Sequence, residues 1–119
     1  MLHCTVCSGP LQVCEMACPA CELQLSGEFG FPRLLRLSSK NLALAEALVL
    51  AGGNLKALAQ SLEISYPTLR KRVDDLIDEL EKLHAEDDRR IDEILHGIEA
   101  GTIPAAKGTR MIKELNGAV

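Results

Sequence analysis

Residues 52–76 read GGNLKALAQSLEISYPTLRKRVDDL. Gly52-Gly53 is a helix stop. Asn54 can cap the helix that follows, LKALAQSLE, and a break comes at Glu63-Ile64. Ser65 then caps a second helix, with Pro67 in its first turn, where a missing N–H costs little. Two helices joined by a tight turn, the second opening with polar and basic residues, make a helix-turn-helix pattern. Ala59 falls where the two helices must approach closely. Leu58, Leu62, Ile64, Leu69 and Val73 lie at buried helical spacing around it. Upstream, Ser38 or Ser39 starts another helix, NLALAEALVLA, offering Leu42, Ala45, Leu48 and Val49 as the third side of a trihelical core. The residues left facing outward are Tyr66, Thr68, Arg70, Lys71 and Arg72, with Ser65 at the cap. These types contact phosphates and base edges in a major groove.

Toward the N-terminus, five cysteines fall between positions 4 and 21 of the 119-residue chain, and none follow. Cys4-x-x-Cys7 and Cys18-x-x-Cys21 have the spacing of a four-thiolate structural zinc site. Leu11-Gln12-Val13 and Leu23-Gln24-Leu25 alternate like two short strands, so residues 1–29 are expected to form a zinc ribbon. The ribbon is too small to fold without its metal. Four protein thiolates leave no open coordination position, which makes the ion structural. A redox role for either C-x-x-C would require a thioredoxin-like βαβ pattern, which is missing. Cys14 is left over. The strand alternation turns it away from Leu11 and Val13, as a bystander or a possible redox thiol. His3 is read as incidental.

Residues 30–37 are expected to be a linker, with Phe29 and Phe31 docking the ribbon onto the helices. The helix-turn-helix, with an extended third helix, is placed at 38–84. Leu69, Val73, Leu76, Leu80 and Leu83 give that helix an apolar seam whose second half needs a cover. Residues 85–119 are expected to form a helical hairpin. Its first helix would carry Ile91, Ile94, Leu95 and Ile98 and end at Gly101. The second would carry Met111, Ile112 and Leu115. Gly108 weakens this second helix by about 1 kcal/mol relative to Ala. The acidic run Glu86-Asp87-Asp88 reads as a helix N-terminus favoured by the dipole. His84 and His96 read as surface residues.

Net charge is −4, but it is segregated: −3 over residues 1–29, +5 over 30–72, −8 over 73–99 and +2 over 100–119. Such blocks point to surfaces with different partners. Hydrophobic residues make up 47% of the chain and aromatics 3%, a composition for packed helices and not for disorder. The start MLHC is unlike a secretory leader, and the most apolar run, 42–51, is too short to span a bilayer. A cytoplasmic location is therefore expected, where thiols stay reduced and free to bind metal. No phosphate loop, nucleophile elbow or H-E-x-x-H motif is present. The expectation is a non-enzyme with no small-molecule substrate and no membrane partner.

The stretch GGNLKALAQSLEISYPTLRKRVDDL resembles the helix-turn-helix of the Fis and NtrC C-terminal domains, and more loosely that of sigma-factor region four. Glu63 stands where those families usually place Gly, so it is expected to adopt a left-handed conformation. Residues 1–83 together resemble a prokaryotic family of unknown function that pairs an N-terminal zinc ribbon with a helix-turn-helix. ILHGIEAGTIPAAKGTRMIKEL is similar to SHOCT-like C-terminal helical hairpins, which implies assembly. The resemblance implies a DNA-binding transcriptional regulator. The uncovered second half of the long-helix seam, with the tail, leads to the expectation of a homodimer or higher assembly through residues 76–119. The alternative is an adaptor that docks on RNA polymerase, a sigma factor or another protein without reading DNA.

Overall fold

A computed structural model describes residues 3–116. Strands β1 (Val13–Ala17) and β2 (Gln24–Phe29) pair antiparallel. A short 3-10 turn, Arg33–Arg36, leads into helices α1 (Ser39–Leu50), α2 (Leu55–Ser61), α3 (Tyr66–Glu99) and α4 (Ala105–Leu115). No single helix among the described residues is long and apolar enough to cross a membrane.

The helix starts follow side-chain chemistry. Ser38, Asn54 and Ser65 accept hydrogen bonds from the backbone N–H groups of Asn41, Ala57 and Thr68, so α1, α2 and α3 all begin on side-chain caps. Three helix ends share a second device. After α1, Gly52 N–H donates to Val49 O and Gly53 N–H to Leu48 O. After α3, Gly101 and Thr102 do the same to Ile98 and Gly97. After α2, Glu63 N–H donates to Gln60 O and Ile64 N–H to Ala59 O. Each pair is a Schellman motif, whose turning residue is left-handed. Gly52 and Gly101 meet that demand freely, at φ 64° and 77°. Glu63 meets it at φ 55° with a Cβ in place, as its position in the turn requires.

The trihelical core is built on buried Leu58, Ala59, Leu69 and Val73, packed by Leu44, Ala47, Leu48, Ala51, Leu55 and Ile64. Ala59 is buried at the α2 approach. Four expected core positions are not in this cluster: Leu42 and Ala45, which are half-buried, and Val49 and Leu62. Val49 is 78% exposed, because α1 turns its Leu44–Ala47–Leu48–Ala51 face inward. Leu62 is 41% exposed, because it is the C-cap residue of α2, where the chain leaves the helix.

The largest departure from the sequence reading is α3. It runs 34 residues without interruption, roughly 51 Å, close to the molecule's 54 Å longest dimension. No helix starts at residue 85, and Glu86-Asp87-Asp88 lies mid-helix. No Gly or Pro occurs between Thr68 and His96, so nothing breaks the backbone. The expected boundary at 84/85 is therefore internal to one element. The hairpin is formed instead by the second half of α3 and by α4.

Beyond the trihelical core, three contacts hold the long helix to the rest. Near its middle, Glu79 accepts the Ser38 N–H at 2.5 Å, the Ser38 hydroxyl at 3.0 Å and the Asn41 amide. Burial pushes the Glu79 carboxyl up, but these hydrogen bonds outweigh it and leave the group below its usual range. A little over two turns later, Asp87 is buried and accepts Arg33 Nε at 2.8 Å and an Arg36 guanidinium N–H at 2.5 Å through the same oxygen. Burial also raises Asp87, and the Arg36 and Arg33 hydrogen bonds and charges more than offset it. Segment 30–37 is thus a structural clamp as well as a linker, with Leu37 fully buried beside it. Arg33 also donates to the Leu115 carbonyl, tying in the end of α4.

The third contact is Gly108, buried against α3. A Cβ there would strike Ile98 Cδ1, sit 2.8 Å from its Cγ1 and 3.3 Å from Ile94 Cγ2. The residue that lowers α4's intrinsic helicity is what lets α4 lie close on α3. Gly97 plays the matching role in α3, under Ile103.

Candidate nucleic-acid interface

The Schellman turn at Glu63 ends α2 and aims the chain into α3. The cap at Ser65 then starts α3 within two residues. Ser65 Oγ accepts the Thr68 N–H at 3.3 Å and lies 2.7 Å from Thr68 Oγ1. Ser65, Tyr66, Thr68, Arg70, Lys71 and Arg72 are all exposed, so the structure leaves the whole expected contact set on the surface.

Helical geometry sorts this set. At about 100° per residue, with Leu69 and Val73 pointing to the core, Lys71 projects directly outward. Tyr66 and Arg70 line one flank, and Thr68 and Arg72 the other. The three bases therefore form a fan and not a single row. Arg70 carries an i,i+4 ion pair with Asp74 at 3.5 Å. The partners are half exposed, so the pair is worth a few tenths of a kcal/mol and is readily exchanged for a phosphate. Asp74, Asp75 and Asp78 follow immediately along α3. The basic face is thus short and bounded by acid.

The N-terminal cysteines form two local structures of the same design. Cys4 N–H donates to Gly9 O at 2.7 Å, and Ser8 N–H returns to Cys4 O at 2.9 Å. Fourteen residues on, Cys18 N–H donates to Leu23 O at 2.8 Å, and Glu22 N–H returns to Cys18 O at 2.9 Å. Ser8 and Glu22 both turn left-handed, at φ 60° and 62°. Backbone N–H groups of Cys7 and Val6 point at the Cys4 sulfur and lower its pKa, and the Cys7 thiol adds to this. Cys21, Ala20 and the Cys21 thiol do the same for Cys18. Each knuckle favours a thiolate with a second sulfur beside it, the donor chemistry of a Zn–S pair. The two pairs stay separate: among the described residues no three Cys, His, Asp or Glu side chains gather into one metal-holding group.

The strands sit later than the alternation suggests. β1 begins at Val13, while Leu11 and Gln12 lie outside it. His3 and Pro10 form an isolated bridge ahead of it. Val13 pairs with Phe29 and Glu15 with Ser26. Two residues of β2, Gly27 and Glu28, therefore stand against Cys14 alone, a bulge. Cys14 is exposed there as a free thiol.

The Arg33–Asp87–Arg36 cluster was not visible as a unit in the sequence. The available signal was Asp87 itself. It continues the Leu76, Leu80, Leu83 seam at a spacing of four, and an acid on a core seam calls for a cation.

Residues 37–83 match the family model described as Domain of unknown function (DUF2089)-HTH. The matched segment is thus similar to a helix-turn-helix domain of unknown function. It opens at Leu37, just before the α1 cap, and closes inside α3. The ribbon and the α3–α4 hairpin lie outside it. No curated protein and no solved structure matches the chain.

Proposed function

We propose that this chain is a zinc-containing helix-turn-helix protein that binds duplex DNA and regulates transcription. The observation that carries this reading is the exposed first two turns of α3. They present Tyr66, Thr68, Arg70, Lys71 and Arg72 beyond a tight turn, within a segment matched by a helix-turn-helix family. Lys71 and the flanking Arg70 and Arg72 neutralise phosphates on both sides of a groove. Tyr66 and Thr68 approach base edges, and Ser65 holds the helix start. Cys4, Cys7, Cys18 and Cys21 hold the zinc, which supplies the ribbon with the folding free energy its small core lacks. The thiolate-favouring knuckles support this assignment. Cys14 takes no part in the clamp. The reading assigns no catalytic role and places the protein in the cytoplasm.

The test is duplex binding by zinc-replete protein over a salt series. Affinity should fall steeply as salt rises. Charge reversal at Arg70 and Arg72 that leaves binding unchanged would remove the assignment.

A second reading has its own observation. The acids that follow Arg72 on α3 make the surface beyond the basic fan strongly negative, which is unusual in a free DNA binder. On that reading the helix-turn-helix docks on a protein of the transcription machinery. Recovery of polymerase subunits with no duplex retention at low salt would favour it.

A further inference from the structure

Among the described residues, α3 is covered on one side only. The trihelical core, Ser38 and Asn41, the arginine clamp and α4 all meet the side that holds Leu69, Val73, Glu79, Asp87 and Ile94. About 80° around the helix lies a second stripe: Ile77, Glu81, His84, Asp88, Ile91 and Leu95. Its spacings are four, three, four, three and four, a heptad seam over two and a half repeats. Ile77 and Leu95 are 41% and 45% exposed, and His84 and Asp88 more so. A shallow groove runs along the N-terminal part of the stripe, lined by Ile77, Leu80, Glu81, His84, Ala85 and Asp88.

The stripe is complementary to itself when reversed. About a two-fold axis at residue 86, Ile77 meets the partner's Leu95, Glu81 meets the partner's Ile91, and His84 meets the partner's Asp88. Apolar residues fall at both ends, and a base faces an acid on each side of the centre. The parallel arrangement is opposed by the same residues, because it sets Glu81 on Glu81 and Asp88 on Asp88. The His84 and Asp88 side chains already lie 3.3 Å apart within one chain, so both are oriented along this stripe.

We infer that α3 pairs antiparallel with α3 of a second copy through this stripe, with His84 and Asp88 as the register-setting contact. The closed two-fold arrangement uses one patch twice and leaves no open end. It deepens the proposed function by specifying the assembly, but the pairing itself does not depend on DNA binding. One geometric consequence follows. Residue 69, at the middle of the DNA-facing stretch, lies 17 positions from the axis. The two stretches are then roughly 51 Å apart along the paired helices, more than the roughly 34 Å of adjacent half-sites. Each end takes its own DNA site.

The test is sedimentation equilibrium on the full zinc-replete chain and three variants. The native chain should self-associate as a dimer at high micromolar concentration. His84→Glu and Asp88→Lys should each raise the dimer Kd by on the order of tenfold, since two symmetric contacts are lost. The double variant His84→Glu/Asp88→Lys should restore the native Kd. Both substituted positions carry exposed side chains, so the core is untouched, and circular dichroism should show unchanged helicity. A native chain that stays monomeric would overturn the inference. So would single variants that dimerise like the native chain, or a double variant as weak as the singles. Because no DNA is present, these failures are separate from failure of the DNA assignment.

Discussion

Replacing Asp87 with Ala should strongly destabilise the chain. The carboxylate is 2% exposed and accepts two charged donors at 2.8 and 2.5 Å. Removing it leaves two guanidinium groups side by side with no counter-charge. Breaking a buried pair this way costs about 3–5 kcal/mol when both partners are fully desolvated. Arg33 and Arg36 retain 22% and 30% exposure and can partly rehydrate, so a loss of about 2–3 kcal/mol is expected. For a chain of this size that is a melting-temperature drop of roughly 8–12 °C. Replacing all three residues with Met or Leu should cost far less than Asp87→Ala alone, since no charge is then orphaned. The effect also has a pH signature. Asp87's pKa in the fold lies below its ordinary 3.8. Its contribution is therefore complete above that ordinary value and is lost as pH falls through the folded value. Urea unfolding followed by circular dichroism should show native and Asp87→Ala chains well separated at pH 7 and converging below about pH 4. Equal stability at pH 7, within about 0.5 kcal/mol, would refute the clamp as an energetic element.

Three further outcomes follow from the fold. Glu63→Gly should stabilise the chain by about 0.5–1 kcal/mol in the same urea assay, because a left-handed non-glycine residue is strained and Gly is not; destabilisation would mean the Glu63 side chain holds the turn in another way. Gly108→Val should cost about 1–3 kcal/mol by overpacking against Ile98 and Ile94, and hydrogen exchange should show α4 losing protection while the trihelical core keeps it. Zinc analysis of the purified chain should give one ion per molecule, with Cys4→Ser or Cys18→Ser losing it and Cys14→Ser retaining it; metal-free protein whose ribbon amides remain protected would contradict the structural role given to zinc.

Local chemistry was the most legible part of the sequence. Asn54, Ser65 and the Gly52-Gly53 stop could be located because caps and stops depend on the residue at one position. Glu63's left-handed turn was anticipated from the resemblance to families that usually place Gly there. All six candidate DNA contacts came out exposed, because Leu69 and Val73 fix which way α3 faces. What escaped depended on pairings distant in sequence. The α1 core face was misplaced by a fraction of a turn. In a stretch as uniformly apolar as NLALAEALVLA, periodicity does not choose between Val49 and Ala47, and packing against α2 and α3 does. The α3 break expected at residue 85 rested on treating acids as a helix start. Arg33 and Arg36, about fifty residues earlier, are what make the burial of Asp87 acceptable. Gly108 read as a weakness because its neighbour, Ile98, could not be seen. The cysteine spacing gave two knuckles, and the structure builds each of them. The gathering of both pairs around one ion belongs to the proposal.

The most direct test of the central claim is retention of random-sequence duplex by the zinc-replete chain at low salt, followed by sequencing of what is bound. The account predicts retention that weakens steeply with added salt, enrichment of a defined motif, and loss of both when Arg70 and Arg72 are reversed in charge. No retention at low salt, or retention unaffected by that reversal, would contradict it.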